Sequence, residues 1–370
     1  MTTTSTTFDG IEIDMLSLGD ADCIIVTSWY DSWPYRVLID GGTGGSYDEV
    51  MDFLNIRGFK NFWAVVCSHC HDDHASGLIK LVKNSTLSFQ GAWMHDIRNH
   101  VAPDALRRAS AADDGVKQVV ETTRELASAF KSRSITPKEP FAGERIAWLP
   151  NMQVLGPTLA FYRRAISEFT DEPTRSSLAW ALAGLRASSS LGSSSAAWPS
   201  PETYLVSPPA PRSLANLFYG SLAGSSVQEE PETQPYNNTS TILGTTFNGL
   251  KYLFTGDAGS EALDQVPADW HSLEWMQIPH HGSDGNLSQK NIESYRPRLA
   301  YVSATGDTSH PSRAIVNGLI KVGSTVYSTH ENGHLRSSCC NVPFRYGYYP
   351  ATPMKATGGM KISDLALSLR

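Results

Sequence analysis

Cysteine is scarce: Cys23, Cys67, Cys70, Cys339 and Cys340 are all that 370 residues hold. That is too few, in a chain of this length, for a disulfide framework, and a reducing compartment is the expectation. Long apolar runs are missing too, and nothing approaches the roughly 20 residues of a membrane helix. The opening MTTTSTTFDGIEID has neither the basic nor the apolar stretch of a secretion signal. Cytoplasmic localisation with no membrane partner is therefore expected. Excess positive charge is absent as well, since 30 Lys and Arg face 37 Asp and Glu for a formal charge of -7. That balance excludes a bulk electrostatic grip on long duplex DNA. It does not exclude a metal site that cuts phosphodiesters, because bound cations bring positive charge that residue totals miss. No repeat of fixed period is visible. With 41% hydrophobic and 18% charged residues, the composition is that of a folded, enzyme-sized body.

What is present alternates short β patterns with helical ones. Ile11–Leu18, Cys23–Thr27 and Tyr35–Ile39 are rich in Ile, Val and Leu and read as consecutive strands. Tyr47–Phe59 places Val50, Phe53, Leu54 and Ile56 at helical spacing and stops at Gly58. Phe62–Cys67 reads as a strand, Ala75–Val82 as a helix, Ala92–Met94 as a strand, and 104–132 as one or two surface helices. A strand at Met152–Leu155 and a helix at Thr158–Phe169 follow. From about Ala187 to Tyr236 the composition turns to Ser, Pro, Gly and Glu, which predicts a partly flexible insertion. Asn248-Gly249, between Thr241–Phe247 and Lys251–Phe254, predicts a hairpin because both residues accept positive φ. Trp275–Ile278 and Leu299–Ser303 are further strands, and Val326–Ser328 with Leu335–Ser337 are expected to pair as one more hairpin. Strands in two clusters, each followed by helices, predict an α/β fold of two packed sheets with helices outside. One domain over 8–340 and a C-terminal extension over 341–370 are expected.

Chemistry concentrates in Ser68-His69-Cys70-His71-Asp72-Asp73-His74, directly after a strand. So many imidazoles and carboxylates burden a core, whereas both groups are ligands for Zn²⁺ and similar borderline ions. His69 and His71 can place their rings on one side of an extended loop, and Asp73 with His74 can face a second ion. A solvated His-rich turn is the bland alternative, and the density of ligands argues against it. Cys70 sits at the spacer position and is not expected to ligate. His330 and His334, around a Glu-Asn-Gly turn, read as solvent-exposed, and Cys339-Cys340 as reduced packing residues.

The spacing His-x-His-x-Asp-His after a strand resembles the signature of the metallo-β-lactamase superfamily. Asp40, in Val-Leu-Ile-Asp-Gly-Gly, and Asp257, in Phe-Thr-Gly-Asp, stand at strand ends in that family's order. Within the superfamily, several segments are similar to the soluble hydrolase domain of the ComEC family of DNA-uptake proteins. They are Gly19-Asp20-Ala21-Asp22-Cys23-Ile24-Ile25, Asn237-Asn238-Thr239-Ser240, Phe254-Thr255-Gly256-Asp257 and Pro279-His280-His281-Gly282-Ser283. His310-Pro311 and Asn332-Gly333 also match, so the likeness runs in islands from about Ile11 to Arg336. It implies an αββα metallo-β-lactamase-like sandwich of two mixed sheets, two divalent ions (Zn or Mn), and hydrolysis by water activated between them. By the same resemblance, His69, His71, Asp73, His74, Asp257 and His281 hold the ions. Asp257 bridges them, Asp73 also orients the nucleophile, and Asp40 fixes imidazole orientation from behind. Neighbours in an extended segment face opposite ways, so His280 and His281 are not expected to ligate together, and the likeness of Pro279-His280-His281-Gly282 to the Pro-Gly-His-Gly of some superfamily members favours His281, with His280 as the alternative. His310, before Pro311 and an expected helix, reads as a phosphate-binding donor or proton source, with helix capping equally compatible.

Two departures qualify the likeness. The resemblance includes no membrane channel, so a DNA-conducting pore is not implied. Where most superfamily members carry a third imidazole for the first ion, this chain has Asn237 and Asn238. Asn238 as a ligand would weaken that site or shift it toward a harder ion such as Mn²⁺. His95, after the Ala92–Met94 strand, is a second candidate for the place, although a structural role is simpler. The expected function is metal-dependent hydrolysis of a phosphodiester, with single-stranded DNA or RNA ahead of duplex. A small phosphodiester, a lactone or a β-lactam is the alternative substrate, and an inactive metal-stabilised binding or regulatory module is the alternative outside enzymes. A groove lined by Arg and aromatics would favour nucleic acid, and an acidic pocket the small substrate.

Overall fold

A computed structural model of the chain describes residues 7–146, 151–170, 227–229, 231, 233–306 and 310–356. Most of the expected insertion at 187–236, and residues 357–370, lie outside the described residues. Period-two alternation builds the centre. In β1 (Asp9–Met15), β2 (Ile24–Tyr30) and β3 (Trp33–Ile39), the side chains of Ile11, Ile13, Met15, Ile24, Val26, Val37 and Ile39 join one core. Ile25 and Leu38 face the opposite way into another. A sheet apolar on both faces needs cover on both. One cover is a second sheet, whose β9 (Ile242–Phe247) and β10 (Leu250–Phe254) send Leu243, Phe247, Tyr252 and Phe254 into the shared core. The other is helical, from α1 (Tyr47–Arg57), α2 (Asp72–Asn84) and, beyond α3 (Pro103–Ala112), α4 (Asp114–Ser132).

The first sheet is completed by β5 (Ala64–Val66), β7 (Ala92–Trp93) and β14 (Leu335–Asn341), in the order β14-β1-β2-β3-β5-β7. The second adds β8 (Gln153–Gly156), β11 (Trp275–Gln277), β12 (Leu299–Val302) and β13 (Thr325–Ser328), in the order β13-β12-β11-β10-β9-β8. Both mix parallel and antiparallel pairs, and helices Gln289–Tyr295 and Arg313–Lys321 pack outside the second. This is the αββα layering expected from the sequence. A short pair, β4 (Asn61–Phe62) with β6 (Ser88–Phe89), stands apart.

The structure corrects several local expectations. The 250s hairpin forms, with Asn248 and Gly249 both at positive φ. β13 and β14 do not pair: β13 runs parallel to β12, and β14 antiparallel to β1. A four-residue helix, Thr329–Asn332, carries the chain from one sheet edge to the other, where Val326 and Leu335 join different cores. Helix α2 starts at Asp72 rather than Ala75, because Asp72 and Asp73 suit the positive end of the helix dipole. Residues 342–356 line the β13 and β14 edges, tied by Arg345 to Glu12, Tyr348 Oη to Asp14, and Met354 N to Val326 O. Among the described residues no helix is long and apolar enough to cross a membrane.

Candidate metal centre

Every candidate ligand except Asn238, which lies in a turn just before β9, sits in a loop, or in the first turn of a helix, just beyond a strand of the two central sheets. β5 leads into His69 and His71 and then into the first turn of α2 with Asp73 and His74. β3 ends at Asp40, β10 runs into Thr255-Gly256-Asp257, β11 into Pro279-His280-His281, and β12 into Ser303. The C-terminal ends of parallel neighbours thus bring residues far apart in sequence to one rim.

Three groups of possible donors form there: Asp22, Asp40 and His74, which meet on the Nδ1 side of His74, and two sets that share Asp257. Asp73, His74, Asp257 and His281 offer ligand atoms within 4.8 Å of one another, as do His69, His71 and Asp257. His74 Nε2 stands 3.3 Å from Asp257 Oδ1 and 3.5 Å from Asp73 Oδ2, and His281 Nε2 is 3.3 Å from Asp73 Oδ2. His69 Nε2 lies 3.6 Å from Asp257 Oδ2 and 3.0 Å from His71 Nδ1. The opposite ring nitrogens are anchored. Asp40 Oδ2 accepts from His74 Nδ1 at 2.8 Å, and the Ser303 carbonyl accepts from His281 Nδ1 at 3.0 Å. A proton held on Nδ1 leaves the Nε2 lone pair free for a cation.

The residues present fit such ions. His74 Nε2 and Asp257 Oδ1 are buried with no hydrogen-bond partner, though they face each other. The electrostatics agree. Burial alone would raise the Asp257 carboxyl, yet His74, His280 and His69 hold it well below the usual carboxylate range. Burial disfavours charge on His281, but the Asp73 hydrogen bond and Asp22 lift it to about 9. The cluster is built as a seat for positive charge.

No protein-family model matches the chain. ComE operon protein 3 of Bacillus subtilis is 25% identical over 126 residues, which is 33% of this chain and 16% of that protein's length. Solved structures similar to it include a diphosphatase from the PhnP family, at 11% identity over 90% of this chain and 98% of that one, TM-score 0.40. Others are a hydrolase in the β-lactamase superfamily, at 9% identity over 97% and 100% of the two chains, TM-score 0.36, and a long form RNase Z from yeast, at 10% identity over 80% and 37%, TM-score 0.35. The chain resembles metallo-β-lactamase superfamily members.

At this rim, the expectation that the His280-His281 segment is extended needs correction, although it is His281 that joins a donor set. Both adopt left-handed backbone, with φ of 47° and 55°, so the segment is not extended. His281 is buried beside Asp73, while His280 Nε2 also comes within 3.9 Å of Asp257 Oδ2, its Nδ1 bonded to Asn286 Oδ1. Asn238 is buried with Oδ1 unpartnered, and a Cβ on Gly259 would sit 2.5 Å from it. Asn237 reaches His280 instead, Nδ2 to Nδ1 at 3.3 Å. His95 belongs to no donor set: burial pushes it down to about 3, and it stacks on Tyr162 with both ring nitrogens unpartnered. Cys70 joins no donor set either. His310 lies at the rim, its ring 5.7 Å from that of His280, with Nδ1 3.3 Å from Asp20 Oδ2.

His334 is not simply solvated. Its Nδ1 accepts from Ser17 N and its ring packs edge-on to Phe53, because the Thr329–Asn332 helix turns it toward the first sheet. His330, half-buried, pairs through Nδ1 with Ser328 Oγ. Cys340 is exposed rather than packed, being on the outer edge strand. Sequence reasoning missed Ser68, Asp22, Gln277, Ser303 and Asn286. Ser68 Oγ donates to Asp40 Oδ2 at 2.6 Å, and Asn286 Nδ2 donates to the Asp257 carbonyl at 2.7 Å. Asp22 had a visible signal, a lone carboxylate inside the apolar run Ala21-Asp22-Cys23-Ile24-Ile25.

Proposed function

We propose that the protein is a metal-dependent hydrolase of phosphodiesters, with a small diester ahead of a polynucleotide as substrate. One observation carries the reading: two donor sets share the buried carboxylate of Asp257. Divalent ions held there, Zn²⁺ or Mn²⁺, supply Lewis acidity and make water nucleophilic at neutral pH. The first would be held by His69, His71 and Asp257, the second by Asp73, His74, Asp257 and His281. His280, with Nε2 turned toward Asp257, is better placed than Asn238 to complete the first set. Asp40 and Ser303 keep protons on the far nitrogens of His74 and His281, so neither ring has to reorganise to bind. Although burial opposes it, the His310 and Thr305 hydrogen bonds hold the Asp20 carboxyl down to about 2. An ionised Asp20 accepts from His310 Nδ1 and orients the ring at the rim, where a positioned imidazole can serve as general acid to a leaving oxygen.

The cleft beside the donors suits a small substrate. Its volume is about 420 Å³, and it is lined by His71, Asp72, Asp73, Asp113, Gly115, Gln118, Gln234 and Tyr236. No Lys or Arg is among these residues, so the described lining of this cleft offers a long polyanion no counter-charge of its own. The ComEC-family resemblance keeps nucleic acid as the second reading. The test is a substrate panel with purified protein and Mn²⁺ or Zn²⁺: bis-p-nitrophenyl phosphate, glycerophosphodiesters, single-stranded DNA, duplex DNA and RNA. Turnover of the small diesters above the polymers is expected. Preference for a polymer would reverse the order, and silence on all phosphodiesters with lactone cleavage would overturn the reading.

A further inference from the structure

The loop between β1 and β2 carries a side chain that the proposed chemistry leaves without a role. Asp22 is 1% exposed and lies among residues that position the second donor set. Its Oδ1 accepts from Ser303 Oγ, the residue whose carbonyl holds His281 Nδ1. Its Oδ2 accepts from Gln277 Nε2 at 2.8 Å. Gln277 Oε1 in turn accepts from Thr255 N at 3.0 Å and Gly256 N at 3.2 Å, the backbone that delivers Asp257. The Asp22 amide also donates to the Asp73 carbonyl at 3.1 Å. One residue of the β1–β2 loop thus reaches three donors of one set: His281 and Asp257 through its carboxylate and residues at the ends of second-sheet strands, and Asp73 through its backbone amide.

We propose that Asp22 is a positioning residue for the second ion, setting the orientation of His281 and the placement of Asp257 through Ser303 and Gln277. The inference rests on the two-ion reading above. Asp22 is not itself needed as a ligand: His74 Nδ1, its neighbour at 3.8 Å, is already committed to Asp40.

Chemistry makes the carboxylate hard to replace. Gln277 cannot turn over, because its Oε1 is tied to two backbone N–H groups. An Asn at 22 must therefore give its single oxygen to Gln277 and point its NH₂ at Ser303 Oγ. The Ser303 hydroxyl then becomes an acceptor, and its proton turns toward His281 Nδ1, the nitrogen that has to keep its own proton for Nε2 to ligate.

The experiment titrates metal-free protein with Zn²⁺ against a chromophoric chelator, and repeats the titration with Co²⁺ while recording its visible spectrum. Asp22→Asn is expected to weaken the second ion by about 10–100-fold, leave the first within a few-fold, and alter the Co²⁺ bands of the second ion only. Ser303→Ala, which removes one hydroxyl, should weaken the same ion by less, and the double variant should be little worse than Asp22→Asn alone. If Asp22→Asn does not fold, Ser303→Ala and its Co²⁺ spectrum decide. Wild-type affinity and spectrum for the second ion in the folded variants would overturn the inference while leaving the hydrolase reading intact. Failure of the wild-type protein to bind two ions would remove both.

Discussion

Asp14 shows what a single buried carboxylate does to this fold. It lies on β1, 3% exposed, accepting a hydrogen bond from Tyr348 Oη. Burial, with Glu12 nearby, pushes its carboxyl up to about 6, whereas an Asp in an unfolded chain titrates near about 3.9. The folded chain therefore binds the proton more tightly. Stability from this group is fully present below about pH 4, falls as the pH rises toward about 6, and stays lower above that. Asp14→Asn should gain on the order of 2–3 kcal/mol at pH 8 and lose that advantage at pH 4. Urea denaturation at the two pH values checks it, and an equal gain at both would mean that charge is not the cause. Asp20 predicts a different signature. Asp20→Asn should lower kcat by about 10–100-fold, the scale of general acid catalysis, with both ions still bound. Loss of an ion would instead make Asp20 part of the metal site's support.

At the scale of elements, α2 has little room to move against the turn after β3. Gly77 lies on the turn after Asp40: a Cβ there would stand 1.9 Å from the Gly41 carbonyl oxygen. The contact is reinforced by Gly77 N to Gly42 O and Gly41 N to His74 O, both at 2.9 Å. Gly77→Ala must push α2 off the turn, and Asp73 and His74 travel with it. A loss of about 1–3 kcal/mol from overpacking is expected, together with weaker binding of the second ion. Thermal melts and chelator titration read the two effects, and an alanine variant that keeps both stability and ion affinity would show that the turn yields instead. The sequence makes α2 legible because strand, ligand run and amphipathic helix are contiguous. It hides what depends on distant partners. β13 and β14 look like a hairpin because they follow each other closely in the chain, but their pairing is decided by β12 and β1. The left-handed pair His280-His281 has no local signal, since positive φ at non-glycine residues is imposed by the surroundings. His334 reads as exposed for the same reason: Phe53 and Ser17 lie hundreds of residues away in the chain.

At the scale of the whole molecule, the donor sets staple two halves together. His69, His71, Asp73 and His74 belong to the half built on the first sheet, and Asp257 and His281 to the half built on the second. Ions that bind only the assembled rim stabilise the folded state by mass action, about 2.7 kcal/mol for each one present at a hundred times its Kd. Chelation should therefore lower Tm as well as abolish turnover. The set of His69, His71 and Asp257 has three close donors, with His280 more distant as a fourth, against four close donors in the other, so its ion should leave first, and activity should vanish at that step because both ions are needed. His280→Ala should make the first step easier while leaving the second unchanged, since His280 Nε2 approaches the same Asp257 oxygen, Oδ2, that faces His69. Calorimetric melts across a chelator series, with metal counted at each step, test the scheme. One cooperative loss of both ions with Tm unmoved would mean that the rim holds its shape without them and that the two halves are joined by the inter-sheet core alone.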